Sequence, residues 1–242
     1  MVMNEMNQLT TPWINQEVLG FDTETTGVFT SRDRIATVSL IRRINGTDSP
    51  RYWIINPGVP MPPAAGRVNG LTDEYLQANG VDPRVGLEEV AVIIAETMRR
   101  GVPVVGFNVT FDFAILEAEL ARHDLPTLRQ RLEGSVEPIV DPLVLDRILD
   151  RYRKGKRNLA SVCTAYDLPL REDFHNAQAD VSATLDLLGA MSERFPELLE
   201  MGPGEMMRFQ AEGHSQWARS FNEFMSARKP DFRPVSLHWP QF

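Results

Sequence analysis

Residues 17–27 read EVLGFDTETTG and form the most informative segment of the chain. The run EVLGFD has the composition of a short strand. Asp22 and Glu24 lie two residues apart at its end, so their side chains project from the same face of the predicted sheet. Two adjacent carboxylates repel each other, and a divalent cation, which prefers hard oxygen ligands, would remove that repulsion. The alternative is a strand end that turns into a loop and leaves both acids in solvent.

The segments that follow predict a mixed sheet. Residues 35–41 (IATVSLI) and 51–56 (RYWIIN) are strand-like, and the loop between them contains Asn45-Gly46, which predicts an antiparallel start. Residues 102–107 (VPVVGF) predict a buried central strand, and residues 139–140 predict a last one. Because helix-period segments alternate with the later strands, the predicted fold class is α/β. The remaining predicted elements are helices near residues 73–78, 87–98, 111–123, 142–152, 158–166 and 177–194 and a loop at residues 61–70.

The composition is that of an ordinary globular protein. The 242 residues carry 25 Lys and Arg against 33 Asp and Glu, a net charge of −8, and 43% of them are hydrophobic. These values exclude a disordered or collagen-like chain. The acidic balance also argues against a protein that coats nucleic acid through bulk charge. From the length and a change of pattern after residue 195, we expect a core domain at residues 1–195 and a helical extension with a docking tail at residues 196–242.

Cysteine content and hydropathy indicate the compartment. The single cysteine, Cys163, excludes an internal disulfide and a multi-cysteine zinc site, which favours the cytoplasm. The longest aliphatic run, residues 90–95, is far shorter than the roughly 20 residues that span a bilayer. Residues 1–8 contain no Lys or Arg ahead of an apolar stretch. We therefore expect a soluble, cytoplasmic protein with no secretory signal and no membrane partner.

Two further acids lie where burial is expected. Asp112 follows the apolar strand and is flanked by two phenylalanines, although an Asp at the start of a helix is also a common cap. Asp180, in the segment HNAQADVSAT (175–184), lies on the apolar stripe of a predicted helix. A buried carboxylate without a partner costs on the order of several kcal/mol. The pattern therefore predicts that both acids converge with Asp22 and Glu24 on one metal site.

His175 precedes Asp180 by five residues and lies in the loop or first turn that leads into the same helix. A lone histidine is more often a surface or core group than a catalytic one. Beside bound metals, its unperturbed pKa of about 6.5 would let it take a proton from water near neutral pH.

Three segments, FDTETTG (21–27), GFNVTFDF (106–113) and H-x4-D (175–180), resemble in their order and spacing the three motifs of the DnaQ-like (DEDDh) 3′–5′ exonuclease family. The similarity runs from about residue 16 to about residue 192. It implies an RNase H-like fold, with a mixed five-stranded sheet flanked by helices. It also implies metal-dependent hydrolysis of the terminal phosphodiester of a nucleic acid, with release of nucleoside monophosphates.

The family's functional residues carry over onto matching positions. The resemblance implies that two divalent cations, Mg²⁺ or Mn²⁺, activate the attacking water and stabilise the leaving oxygen. It also implies that Phe111 contacts a base, although buried packing is the alternative. The implied metal ligands are Asp22, Glu24, Asp112 and Asp180, the implied general base is His175, and the implied contacts to the terminal nucleotide are Thr23, Thr25, Asn108 and Phe111.

Two features lie outside the shared motifs. Asn69 stands where many relatives carry a histidine, so no role is carried over to that position. Residues 147–157 contain six Lys and Arg, and of these Arg153 and Lys156 are candidates for gripping the substrate backbone. A solvated helix end is the alternative for this basic cluster.

DNA is the expected substrate and a DNA 3′ end the expected partner. One alternative is an exoribonuclease that trims RNA, because a site that contacts phosphates and metals does not distinguish the sugar. A second alternative is a non-catalytic nucleic-acid-binding or scaffold subunit, which has no need for mutually repelling acids. Residues 196–242 are a candidate surface for a protein partner, and the sequence predicts no oligomeric state.

Overall fold

The computed structural model describes residues 12–169 and 177–242, so the prediction for His175 lies outside the described residues. A five-stranded sheet has the order β3-β2-β1-β4-β5. β2 pairs antiparallel with both β1 and β3, whereas β4 pairs parallel with β1 and β5 pairs parallel with β4. The predicted mixed five-stranded sheet is confirmed. The strands are β1 (Glu17–Thr25), β2 (Ile35–Ile44), β3 (Thr47–Ile54), β4 (Val104–Val105) and β5 (Ile139–Val140).

Helices flank this sheet, as predicted, and a long helix lies in the C-terminal extension. Their bounds are α1 (Trp13–Gln16), α2 (Pro63–Asn69), α3 (Asp73–Asn79), α4 (Pro83–Arg99), α5 (Thr110–Arg122), α6 (Leu128–Leu132), α7 (Pro142–Leu149), α8 (Leu159–Ala165), α9 (Ala177–Arg194), α10 (Glu197–Glu200) and α11 (Pro203–Ser226). Among the described residues, no helix combines the length and apolar character that a membrane crossing requires.

The β2–β3 hairpin turns through Asn45 and Gly46, which have φ angles of 48° and 77°. Two consecutive residues with positive φ form the turn whose twist matches that of the flanking strands. The predicted antiparallel start of the sheet is therefore confirmed.

Three local predictions differ from the structure. The predicted loop at residues 61–70 is wrong, because Pro63 needs no N–H in the first turn of α2 and Gly70 ends that helix with φ 71°. The strand predicted at residues 102–107 pairs only at Val104 and Val105. The helix predicted at residues 142–152 ends at Leu149, because the Asp150 backbone leaves the helical region with φ −119° and ψ 58°; the Arg157 guanidinium donates to the carbonyl oxygens of Asp146 and Asp150 at 2.9 and 2.8 Å.

The two faces of the sheet bury different helices. On one face, α4 packs on β4 and α5 packs on β1 and β2, and on the other face α9 packs across β1 and β2. Gly20 of β1 allows the second contact, because a Cβ at this position would clash with Val181 and lie 3.1 Å from the Leu185 side chain. The glycine therefore brings α9, and with it Asp180, close to β1.

The extension packs on the core. Gln210 of α11 donates from its amide to the Ile139 carbonyl at 3.0 Å and accepts from the Asp141 N–H at 2.7 Å. This amide satisfies the outer edge of β5 much as a further strand would. At the end of the tail, Trp239 is 7% exposed and the Phe242 ring stacks on Phe113 at 5.3 Å.

Candidate active site

Three of the predicted acids meet at the carboxyl end of β1. One carboxylate oxygen from each of Asp22, Glu24 and Asp180 lies within 4.8 Å of the others. Asp22 and Glu24 come from one face of the strand, and Asp180 comes from the first turn of α9. All three side chains are partly exposed, so a ligand can reach them.

Asp112 lies beside this group but faces inward. Its side chain, on the first turn of α5, is 4% exposed. Asp112 Oδ1 accepts from the Thr23 backbone N–H at 3.0 Å and from the Thr23 hydroxyl at 2.6 Å. The Thr23 side chain projects from the opposite face of β1 to Asp22 and Glu24, and it is buried. It positions Asp112, so the expected contact of Thr23 with a nucleotide is not supported.

The electrostatics of the cluster favour a bound cation. Burial, followed by the charges of Asp180 and Asp112, raises the pKa of Glu24 to about 8. Burial and the three neighbouring carboxylates hold the pKa of Asp22 well above its usual range. Burial also raises the pKa of Asp112 to about 7 against the opposing hydrogen bonds from Thr23. A set of hard oxygen donors that repel one another fits a divalent metal.

Arg153 and Lys156 differ in their surroundings. The Arg153 guanidinium makes two bonds, at 3.0 and 2.9 Å, to the carboxylate of Asp146, which is fully buried and is also paired with Arg157. The predicted role of Arg153 in gripping substrate is therefore not supported, because its charge neutralises an internal acid. Lys156 is exposed, and its contact with a nucleic-acid backbone stays a prediction.

A cavity of about 430 Å³ adjoins Glu24. Among its lining residues, Val28, Phe29 and Val68 are 74%, 55% and 56% exposed, so they offer an apolar surface beside the acids. These three residues were not predicted from the sequence, although Val28 directly follows the FDTETTG segment. Asn69 also lines the cavity and donates to the Thr25 carbonyl at 3.3 Å.

The other predicted contacts to the nucleotide are distributed around the cluster. Thr25 lines the same cavity, and its hydroxyl donates to the Gly27 carbonyl at 2.7 Å. Asn108 is exposed in the turn before α5 and has a φ of 61°. Phe111 is partly buried against the core, in line with the packing alternative.

Asp141 was not singled out by the sequence analysis. It is 1% exposed at the end of β5 and accepts from the backbone N–H groups of Asn108, Val109 and Leu143 at 2.9, 3.2 and 2.9 Å. Burial raises its pKa to about 6. This carboxylate fixes the turn that leads into α5 and Asp112. An Asp before a proline that starts a helix is a recognisable N-cap signal in the sequence. The contact of Asp141 with the backbone of Asn108 and Val109 has no such signal.

Comparison with known sequences identifies relatives among bacterial polymerases. The DNA polymerase III PolC-type of Lacticaseibacillus paracasei is 28% identical over 187 residues, which cover 76% of this chain and 12% of that protein. The PolC-type polymerase of Streptococcus pneumoniae serotype 2 is 29% identical over 170 residues, which cover 69% of this chain and 10% of that protein. The chain thus spans only about a tenth of the length of these relatives.

Comparison with solved structures identifies the same fold in Exonuclease I of Escherichia coli. Its complex with a dA16 oligonucleotide superposes with a TM-score of 0.66 and 20% identity, over 76% of this chain and 42% of that one. Its zinc-bound complex with single-stranded DNA gives a TM-score of 0.65 and 19% identity, over 77% and 42% of the two chains.

The exonuclease (RNase T) family model matches residues 19–188, well over half of the chain. The matched segment runs from β1 into α9 and contains all four predicted acids. The chain belongs to this family of DnaQ-like exonucleases.

Proposed function

We propose that the chain removes nucleotides one at a time from the 3′ end of DNA in a metal-dependent reaction and releases nucleoside monophosphates. The observation that carries the proposal is the meeting of Asp22, Glu24 and Asp180 within 4.8 Å, with Asp112 beside them. Because these carboxylates repel one another, their proximity destabilises the fold unless a cation is bound between them. The arrangement therefore favours cation binding over a role in packing.

The four acids and His175 have different roles in the proposed reaction. Asp22, Glu24 and Asp180 would hold two divalent cations, Mg²⁺ or Mn²⁺, with Asp112 as the fourth carboxylate. Thr23 keeps Asp112 in place through two hydrogen bonds. When bound, the cations supply activation of the attacking water and stabilisation of the leaving 3′ oxygen. His175, assigned from its position in the motif, takes the proton of the attacking water.

The terminal base occupies the cavity next to Glu24. Val28, Phe29 and Val68 offer apolar contacts to the face of a base, and such contacts do not distinguish one base from another. The nuclease therefore acts on ends of any sequence.

DNA is favoured over RNA because the curated relatives are DNA polymerases and the structural neighbours hold DNA. The alternative substrate is an RNA end, because the carboxylates contact phosphate and metal and make no contact that distinguishes ribose from deoxyribose. A non-catalytic subunit is disfavoured by the retention of the complete acidic cluster.

The test uses matched DNA and RNA oligonucleotides, labelled separately at the 5′ and 3′ ends, with Mg²⁺, Mn²⁺ or EDTA. The expected result is a ladder of 5′-labelled DNA that shortens from the 3′ end with either metal and is absent in EDTA. Faster cutting of RNA would replace the DNA assignment with the exoribonuclease one. No cutting of either polymer, with binding of both, would contradict the enzyme proposal.

A further inference from the structure

A second cavity lies between the core and the extension. It has a volume of about 270 Å³, is open on one side, and is lined mainly by α7, α11, the C-terminal tail and the turn before α5. Its lining includes Asn108, Asp141, Arg147, His214 and Trp239. Asn108 and Asp141 follow the carboxyl ends of β4 and β5, so the cavity opens at the same edge of the sheet as the acidic cluster.

Arg147 is the main feature of this cavity. Its guanidinium lies over the Trp217 ring at 4.0 Å, and its buried Nε has no hydrogen-bond partner. Across residues 12–169 and 177–242, no acid forms an ion pair with it within 4.0 Å. Leaving the buried Nε–H without a hydrogen-bond partner is unfavourable, and a ligand in the cavity would supply one.

The two nearby acids have other partners. Asp141 accepts from three backbone N–H groups. Asp146 is held by Arg153 and Arg157. The donors of Arg147 are thus available to a ligand.

Two aromatic side chains add polar atoms from other directions. The Trp239 indole N–H and His214 Nδ1 are buried and have no partner among the described residues, and both residues are less than 10% exposed. His214 Nε2 lies 3.0 Å from the Ser236 carbonyl, which can only accept, so Nε2 carries the hydrogen. Burial lowers the pKa of His214, so Nδ1 is an acceptor that takes a hydrogen bond from a protonated ligand oxygen or from a bridging water.

We propose that Arg147, His214 and Trp239 form a binding site for a phosphate group. Their unsatisfied atoms come from α7, α11 and the tail, an arrangement that suits the tetrahedral oxygens of phosphate better than a planar carboxylate. Arginine and indole N–H groups both donate to such oxygens. The phosphate comes either from free inorganic phosphate or from the backbone of a bound strand, and the second source rests on the proposed function.

The test is calorimetric titration of sodium phosphate into the full chain in EDTA at constant ionic strength. Without divalent metal, the acidic cluster repels phosphate, so binding reports the second cavity. The variants are Arg147→Gln and Trp239→Phe, which removes the indole donor and keeps an aromatic ring. Arg228→Gln is the matched control, because Arg228 also lies over an aromatic ring, that of Phe224 at 3.6 Å, but outside the cavity.

The parent and Arg228→Gln are expected to bind one phosphate. Arg147→Gln should weaken this binding about tenfold or more, and Trp239→Phe should weaken it several-fold. A melting curve in NaCl checks that each variant is folded. Absence of phosphate binding by the parent, or equal affinity in all four proteins, would overturn the proposal and leave the cavity as a site for ordered water.

Competition with single-stranded DNA, followed by fluorescence anisotropy in EDTA, distinguishes the two sources. If phosphate weakens DNA binding by the parent and not by Arg147→Gln, the site holds a strand phosphate. If phosphate binds without competing, the site takes free phosphate. Either result supports the proposal. Hydrolysis with Mg²⁺ is measured separately, so phosphate binding without nuclease activity would contradict the proposed function alone.

Discussion

Gly20 of β1 and Val181 of α9 meet with no room between them for a side chain on residue 20. Val181 follows Asp180 directly, and Gly20 lies two residues before Asp22. The packing of this pair therefore sets the separation between the strand acids and the helix acid.

Gly20→Ala is expected to lower both stability and activity. The added methyl group would push α9 from β1, at a cost of about 1–3 kcal/mol in the free energy of unfolding. Displacement of Asp180 should reduce turnover by up to about a hundredfold. The control is Gly189→Ala in the same helix, where an added Cβ meets open space. That change should raise the unfolding free energy by up to about 1 kcal/mol and leave turnover unchanged. Denaturant unfolding and initial rates check both, and a fully active Gly20→Ala would contradict the packing argument.

Thr23→Val is expected to impair the enzyme through Asp112. The variant loses the hydroxyl that donates to Asp112 at 2.6 Å and keeps the shape of the side chain. Turnover should fall by roughly tenfold to a hundredfold, and the free energy of unfolding by about 1 kcal/mol. Thr23→Ser keeps the donor and should retain most of the rate. Equal rates for the Val variant and the parent would show that Asp112 needs no such support.

The metal-free protein should become less stable as pH rises from about 5 to about 8. Burial and neighbouring charge raise the pKa of Glu24 to about 8, and burial raises that of Asp112 to about 7. In this window the folded state binds more protons than the unfolded state, so the free energy of unfolding falls with increasing pH. Burial lowers the pKa of His123 and His214, and these two groups oppose the decline without cancelling the larger shifts of the acids. Glu17, whose pKa is lowered to about 2 by Arg42 and Arg100, also acts in the opposite direction, but its contribution is lost only on acidification below about 4.5.

Melting temperatures in EDTA across this pH range provide the measurement. Glu24→Gln should flatten the decline, whereas Glu193→Gln, an exposed change on α9, should not. Saturating Mg²⁺ should raise the melting temperature most at pH 8, where the cluster is most negative. A melting temperature that rises with pH in EDTA would contradict the electrostatic description of the cluster.

His175→Ala should leave metal binding intact and slow turnover by roughly 10² to 10⁴. The Mg²⁺-dependent rise in melting temperature reports the first property, and single-turnover rates across neutral pH report the second. His123→Gln is the control, since His123 has no part in the proposed site. If His175→Ala matched the parent rate at every pH, another group would have to accept the proton.

Local patterns in the sequence predicted that Asp22, Glu24 and Asp180 come together. The i, i+2 spacing of Asp22 and Glu24 fixed a common face of β1, and the helical period placed Asp180 on the packed side of α9. Turn chemistry predicted the Asn45-Gly46 hairpin and the Thr72 cap, which accepts from the Tyr75 N–H. Each of these features depends on residues only a few positions apart, so it can be predicted from the local sequence.

Contacts between distant segments account for the rest. Thr23 and Asp112 are 89 positions apart, and the pairing of Gln210 with β5 joins positions 71 and 69 apart. The structure also differs from the prediction for the basic cluster. The Arg153 guanidinium binds the buried carboxylate of Asp146, seven residues away, and not solvent. No periodicity in the sequence marks which cation faces solvent and which neutralises a buried acid.

The assignment of the acidic cluster as the catalytic centre is tested by comparing three proteins, the parent, Asp180→Asn and Glu193→Gln. The measurement is hydrolysis of 5′-labelled single-stranded DNA with Mg²⁺. Asp180→Asn removes one charge from the cluster and keeps the side-chain shape, and Glu193→Gln makes the same change on the exposed side of α9. We expect Asp180→Asn to fold and show no measurable cutting, and Glu193→Gln to cut like the parent. Parent-like cutting by Asp180→Asn would contradict the assignment of the acidic cluster as the catalytic centre.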